Sequence, residues 1–305
     1  MPLTTKKILL LLTTACMLSS VQAQTDIDGI MMMKNNFCGG IVYQKSTWKN
    51  YWEGTFKRDN KNLGTLSTQM LGVMGNYGIS NRLNVLFNLP YVKTQASAGQ
   101  LSGLKGIQDL SLWLKWLPLQ KEWGKGTFST FVIGGVSLPA SGYTADFLPL
   151  SIGLGSKTAS LRGMVDYQLG DWFSTASATY YYRGKVNIDR EAYYTTEMHY
   201  TDEVQMPNAA QVNVRAGYRS TRLIAEAVFN SWKTLGGFDI TKNNMPFPSN
   251  KMNMTTAGIN LKYEFRKPHG LSLVGGGNYT LAGRNAGQST AFYGGVFYVI
   301  NFTKN

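Results

Sequence analysis

Charge is scarce in this 305-residue sequence. Asp, Glu, Lys and Arg together make up 15%, against about 25% in an ordinary soluble protein. Cysteine is nearly absent, with Cys16 and Cys38 only, which excludes a disulfide scaffold. Histidine is just as rare. His199 and His269 lie far apart, and no Glu-x-x-His or His-x-x-x-His spacing exists, so no zinc site is expected. Past residue 23 there is no apolar run of about 18 residues, which excludes a membrane-spanning helix. Aromatic residues reach 12% and glycine numbers 33. A disordered chain would have few aromatics and more charge. The composition suits an extended β structure facing an apolar medium.

The first residues read as an export leader. Lys6 and Lys7 precede the apolar stretches Ile8 to Leu12 and Ala15 to Leu18, and Val21-Gln22-Ala23 offers small residues for cleavage before Gln24. This is the anatomy of a secretory signal over residues 1–23. It leaves a single mature domain of residues 24–305, with +11 of the original +13 charges. A lipid-modified Cys16 is the competing reading, but no Leu stands three residues before it. With the leader removed only Cys38 remains, and one cysteine closes no internal disulfide. The basic residues are spread singly rather than clustered, so nucleic acid is not expected as a partner.

Alternation with period two recurs through the mature chain, as in half-buried strands. In 210–219, Ala210, Val212, Val214, Ala216 and Tyr218 share one face, and Gln211, Asn213, Arg215, Gly217 and Arg219 the other. In 256–265, Ala257, Ile259, Leu261, Tyr263 and Phe265 oppose Thr256, Gly258, Asn260, Lys262 and Glu264. Twelve strands are predicted, at 37–45, 65–78, 83–93, 107–117, 127–138, 157–168, 172–186, 209–219, 222–234, 253–265, 271–283 and 289–302. Many have the ten or so residues that a tilted transmembrane strand requires.

Their connections alternate in length. Five are short: Ile79 to Arg82, Pro118 to Gly126, Leu169 to Asp171, Ser220-Thr221 and Arg266 to Gly270. Those on the other side are long, except the last. Short periplasmic turns and long outer loops describe a transmembrane antiparallel β-barrel. An aromatic residue precedes each short turn: Tyr77, Trp116, Tyr167, Tyr218 and Tyr263. Rings at one hairpin end form an interfacial girdle. A β-propeller also has repeats of this length, but its blades need four strands where two longer ones are found. An exported soluble β-sandwich is a further alternative.

Three stretches resemble a known family. They are Tyr77-Gly-Ile-Ser-Asn-Arg-Leu-Asn-Val, Leu89-Pro-Tyr-Val, and Gly106-Ile-Gln-Asp-Leu-Ser-Leu. They look like the Tyr-Gly turn, the Pro-Tyr strand end and the Gly-x-x-Asp-Leu strand start of outer-membrane channels named after the meta-pathway of phenol degradation. Trp48-Lys-Asn-Tyr-Trp-Glu-Gly is similar to a variant of the group. The likeness is best over about 40–120. It implies a barrel in the bacterial outer membrane that passes small aromatic or apolar compounds. One departure is the C-terminus, where Phe302 is followed by Thr303-Lys304-Asn305 rather than ending the chain.

No catalytic constellation is found, because neither histidine stands on a strand near a candidate serine. No cofactor is expected, as no glycine-rich phosphate cradle opens a helix. The polar strand faces are more informative, since in a barrel they point into the lumen. They carry Lys115, Arg162, Arg183, Lys185, Arg215, Arg219, Arg222 and Lys262, against Asp109, Asp166, Glu226 and Glu264. The basic surplus either braces the wall in a charge network or attracts anions. Loop 187–208 reads as a polar surface cover, and loop 235–252 as a segment dipping into the mouth. A plugged structural barrel is the rival to a channel for small molecules. Membrane lipid is the expected partner, and oligomeric state is open.

Overall fold

A computed structural model describes residues 25–241 and 246–302. The leader, its cleavage site, Met245 and the final Thr303-Lys304-Asn305 lie outside the described residues. The fold is a closed barrel of twelve antiparallel strands. They are β1 (Asn36–Glu53), β2 (Leu66–Ser80), β3 (Leu83–Ala96), β4 (Asp109–Trp123), β5 (Gly126–Pro139) and β6 (Thr158–Leu169). The second half comprises β7 (Trp172–Arg183), β8 (Ala209–Arg219), β9 (Leu223–Thr234), β10 (Asn253–Glu264), β11 (Leu271–Arg284) and β12 (Gly287–Asn301). Each strand pairs with the next, and β12 returns to β1 from Asn36↔Asn301 to Tyr51↔Gly287. Closure leaves no sheet edge, which a bilayer demands because it offers no hydrogen bonds to an open edge.

The exposure pattern is inverted relative to a soluble protein. Ile259 and Leu261 of β10 are 60% and 51% exposed, whereas Lys262 between Leu261 and Tyr263 is buried. Leu71, Val73, Leu112, Leu114, Val212 and Val296 are likewise exposed. An apolar surface this continuous is unsustainable in water. It forms the lipid-facing belt of a membrane barrel.

Two strands run further than their sequence pattern indicates. Strand β1 extends to Glu53, where it folds back on the short strand Phe56–Asp59. Strand β4 continues past Pro118 to Trp123, because a register shift between Trp116 and Leu119 absorbs the proline. A proline is tolerated in a strand at such an irregularity. The short turn is therefore Gly124-Lys125, not 118–126, and Trp116 stands eight residues before it. Trp123 occupies the turn-adjacent place, where Tyr167 Oη donates to its carbonyl at 3.1 Å.

Strand β7 ends at Arg183, short of the expected 186. Gly184 donates instead to the Lys157 carbonyl at 2.8 Å, and Lys185–Asn187 pairs with Glu203–Gln205 in a separate hairpin. Lys185 is thus an exposed loop residue bound to Glu203 at 2.7 Å, not a lumenal one. Arg222 likewise lies in the turn before β9. The outer loops also differ from expectation. Val186, Ile188, Val204 and Met206 of loop 184–208 are buried in one cluster with Ala145 and Phe247. Three outer loops therefore meet in an apolar cap, and Phe247 stacks on Tyr193 at 5.2 Å. Loop 184–208 is polar only on the face turned away from that cap.

Candidate functional site: the lumen and its N-terminal segment

The lumen contains its own chain. Residues 25–35 do not leave the barrel at its lower rim but run back up inside it. The segment is anchored where it joins β1. Asn35 donates to the Gly78 carbonyl at 2.8 Å, and its φ of 60° turns the chain inward. Asparagine tolerates this left-handed conformation better than most residues. Met32 is buried with Cys38, Phe297 and Val299. The carboxamide of Asn84, turned to satisfy both groups, accepts from Met32 N at 2.6 Å and donates to its carbonyl at 3.1 Å. Gly78 is required here, because a Cβ at that position would collide with the Met33 carbonyl.

Higher up, two basic residues pin the segment. Lys115 Nζ, wholly buried on β4, donates to Asp28 Oδ1 at 2.9 Å and to the carbonyls of Asp28 and Thr25 at 2.7 and 3.0 Å. Arg162 Nη1 on β6 donates to the Asp26 carboxylate at 2.8 Å and to its carbonyl at 2.9 Å. A lysine buried this deeply needs such partners, since an unpaired charge in this setting costs several kcal/mol.

The other inward charges pair along the wall. Arg219 Nη1 and Nη2 meet the two oxygens of Asp166 at 3.1 Å each, and Thr175 also donates to that carboxylate at 2.5 Å. Arg215 Nη1 donates to Glu226 Oε1 at 2.6 Å, which also accepts from Asn260 at 2.7 Å. Near the outer end Arg183 Nε donates to the Pro207 carbonyl at 2.7 Å. Asp109, half-buried at the start of β4, accepts from Tyr143 of loop 140–157 at 2.5 Å. Burial and this carboxylate push the Tyr143 hydroxyl well above its ordinary range. Lys262 is buried and Glu264 half-buried near the lower end of β10. The nine candidate lumenal residues thus all lie on inward faces. Of the five girdle aromatics, Tyr77, Trp116 and Tyr263 are exposed and Tyr167 and Tyr218 half-exposed on the outer wall. Tyr218 packs edge-to-face on Trp172 at 5.9 Å.

Asp26 and Asp28 escaped the sequence reading, because Thr-Asp-Ile-Asp carries no strand pattern long enough to place it. The available signal was the basic surplus itself. Buried bases without acids on their own wall imply acids supplied from elsewhere.

Apolar residues face inward too. Met70 and Met74 of β2, Val274 of β11 and Phe297 of β12 form one side of a cavity of about 450 Å³, and Ile27 and Ile30 of the segment form another. Carboxamides complete it, among them Gln44, Asn88, Asn213, Asn230 and Asn260. Tyr293 donates a short hydrogen bond to Asn260. Asn88 Oδ1 is buried without a partner among the described residues. Above the segment a second space of about 280 Å³ lies beside Asp26, Asp109 and Arg183. Below it a third of about 390 Å³ lies beside Gly29, Met31 and Ser220. Residues 25–31 touch all three, so they stand across the path that would join them. Among the described residues no group of His, Cys, Asp and Glu is placed to hold a metal.

Residues 63–294 match the family model described as "Putative MetA-pathway of phenol degradation". The chain belongs to this family. The barrel is similar to an outer-membrane channel from Pseudomonas putida F1, with a TM-score of 0.70 at 14% identity, covering 92% of this chain and 100% of that one. The β domain of the Bordetella autotransporter BrkA follows at a TM-score of 0.47 and 14% identity, covering 88% and 100%. The translocator domain of the autotransporter NalP from Neisseria meningitidis scores 0.46 at 11% identity, covering 96% and 97%. None of the curated proteins matches the sequence. The family member thus shares the closed-barrel fold of that Pseudomonas putida protein.

Proposed function

We propose that this family member is an outer-membrane channel for small molecules, with apolar or aromatic compounds as its main cargo. The observation that carries the reading is the mixed lining of the central cavity. Met70, Met74, Val274 and Phe297 give it an apolar wall, and the facing carboxamides give it neutral hydrogen-bonding groups. Water-filled porins have a polar interior, so an apolar inner sector favours cargo that water solvates poorly. Family membership supports the same reading through the pathway in the family's description. A barrel of twelve strands is also narrower than the 16–18-stranded porins with wide aqueous channels.

The test is solute flux into liposomes carrying the purified barrel. Small uncharged aromatic solutes should cross faster than sugars of similar size. Equal, background-level flux for both overturns the proposal and leaves a sealed structural barrel. That second reading draws on the N-terminal segment and the apolar cap, which together fill much of the lumen. Recovery of the chain with outer-membrane fractions, in detergent extracts only, tests the location.

A further inference from the structure

The strand walls place six basic residues inside the barrel: Lys115, Arg162, Arg183, Arg215, Arg219 and Lys262. Among the described residues they place four buried or half-buried acidic ones there: Asp109, Asp166, Glu226 and Glu264. The two missing negative charges are Asp26 and Asp28, and both come from the N-terminal segment. With the segment seated, the lumen carries no formal net charge. With it withdrawn, Lys115 and Arg162 would face the pore unaccompanied, and the surplus of two would attract anions. The same two ion pairs also hold residues 25–31 across the path between the three cavities. Charge balance and closure therefore depend on one pair of contacts.

We propose that Asp26 and Asp28 are the selectivity determinants of the channel, keeping the lumen neutral and the segment seated. This rests on the channel reading given above. It assigns the preference for uncharged cargo to the segment rather than to the wall. The sign of the effect makes it testable in planar bilayers under a salt gradient. Asp26→Asn with Asp28→Asn releases the segment and leaves a positive surplus. Conductance should rise several-fold and the reversal potential shift toward anions. Lys115→Gln with Arg162→Gln releases it equally but leaves four basic against four acidic residues on the wall, so conductance should rise with no shift toward anions. Heat-modifiable mobility in gels verifies that each variant is a folded barrel. Unchanged conductance in both variants, or a shift toward anions as large in the second as in the first, overturns the proposal. A variant lacking residues 24–31 separates the two levels. If it conducts while the charge variants behave like the parent, only the proposal falls. If every form is silent, the channel reading falls with it.

A second inference rests on the outer wall. Cross-strand register aligns Lys45 of β1 with Gln69 of β2, Gln69 with Lys93 of β3, and Lys93 with Lys105 of the short strand Lys105–Ile107. All three lysines are exposed, and none has a carboxylate partner among the described residues. Like charges directly opposite across strands, as in Lys93 and Lys105, destabilise a sheet. One step toward the membrane the same strands present Tyr43, Leu71, Tyr91 and Ile107, all exposed. Lys45 lies nine residues above Asn36, or about 23 Å along the normal for a strand rising about 3.3 Å per residue at a tilt near 40°. That is the height of the apolar band, about 25 Å. The row therefore sits at the outer headgroup level.

The geometry points to a phosphate-binding site for the phosphorylated glycolipid of the outer leaflet, spanning β1 to β3. Native mass spectrometry with diphosphorylated and dephosphorylated lipid A provides the test. The folded chain should retain the phosphorylated form, and Lys45→Gln, Lys93→Gln and Lys105→Gln together should lower its occupancy several-fold. A control changing Lys121, Lys157 and Lys233 to Gln should keep it. Equal retention of both lipids, or no loss in the triple variant, overturns the assignment.

Discussion

At the scale of single residues, the N-terminal segment is held by close approach as much as by charge. A Cβ on Gly29 would fall on the Asp166 carboxyl, and Asp166 cannot yield because Arg219 and Thr175 hold it. Gly29→Leu should therefore unseat the segment without altering charge. Conductance should rise and the reversal potential shift toward anions, because Asp26 and Asp28 leave the lumen with the segment, as a salt-gradient recording would report. Asp239 gives a different prediction. Hydrogen bonds from Arg284, opposed by partial burial and joined by Asn285, hold its carboxyl down at about 2 against an ordinary 3.8. A lowered folded-state value means that the stabilisation is complete above 3.8 and is lost as the pH falls through about 2. Ile240, whose N–H donates to Asn285 at 3.1 Å, should lose hydrogen-exchange protection over that window. In Asp239→Asn the protection should already be reduced at pH 5.

At the scale of strands and loops, period two was the legible signal. Ten of the twelve strands lie within a few residues of the alternation that marks them. In β1, Trp48, Lys49 and Asn50 break the alternation at a register shift that only the β12 partner reveals. In β4, Pro118 marks an end in the sequence that the register shift between Trp116 and Leu119 carries the strand past. Inward charges such as Lys115, Asp166, Arg215, Glu226, Lys262 and Glu264 were legible because they stand between two apolar neighbours. Asp26 and Asp28 were not, because an irregular segment inside a lumen has no periodicity to betray it. Lys185 was misplaced because Gly184 breaks the strand without disturbing the pattern. The alternation itself is testable. Ile259→Arg, four residues above the girdle residue Tyr263 on the lipid-facing side, should cost about 2–4 kcal/mol near the midplane and lower the yield of membrane-inserted barrel. Asn260→Arg, on the opposite face, should insert normally. The loop assignment predicts that cysteine at Thr195 reacts with an impermeant thiol reagent on whole cells. Cysteine at Ser220 should react only after the outer membrane is broken, with Cys38 replaced in both. Equal labelling would reverse or abolish the assigned sidedness.

At the scale of the whole molecule, the barrel is an inverted protein with an asymmetric interior. The sector formed by β4 to β8 is charged, and the N-terminal segment is tied to it. The sector formed by β11, β12, β1 and β2 is largely apolar, and the central cavity lies against it. The cavity therefore lies between that sector and residues 27–30 of the segment, whose upper part is tied to the charged side. Filling the apolar side by Val42→Trp should block flux of aromatic solutes while leaving the ion pairs and the released conductance of the Asp26→Asn and Asp28→Asn variant in place.

The direction of the segment has a practical consequence for anyone attaching something to this protein. Thr25 lies within the wall, bound through its carbonyl to Lys115, whereas Phe302 is exposed at the lower rim, where its N–H meets the Asn35 carbonyl at 2.9 Å. A purification tag or fluorescent fusion placed directly before Thr25 would have to share the lumen or drag the segment out. The same cargo behind Phe302 hangs clear of the pore. Front-end fusions should therefore behave as opened barrels, and any activity measured on them belongs to a channel without its stopper.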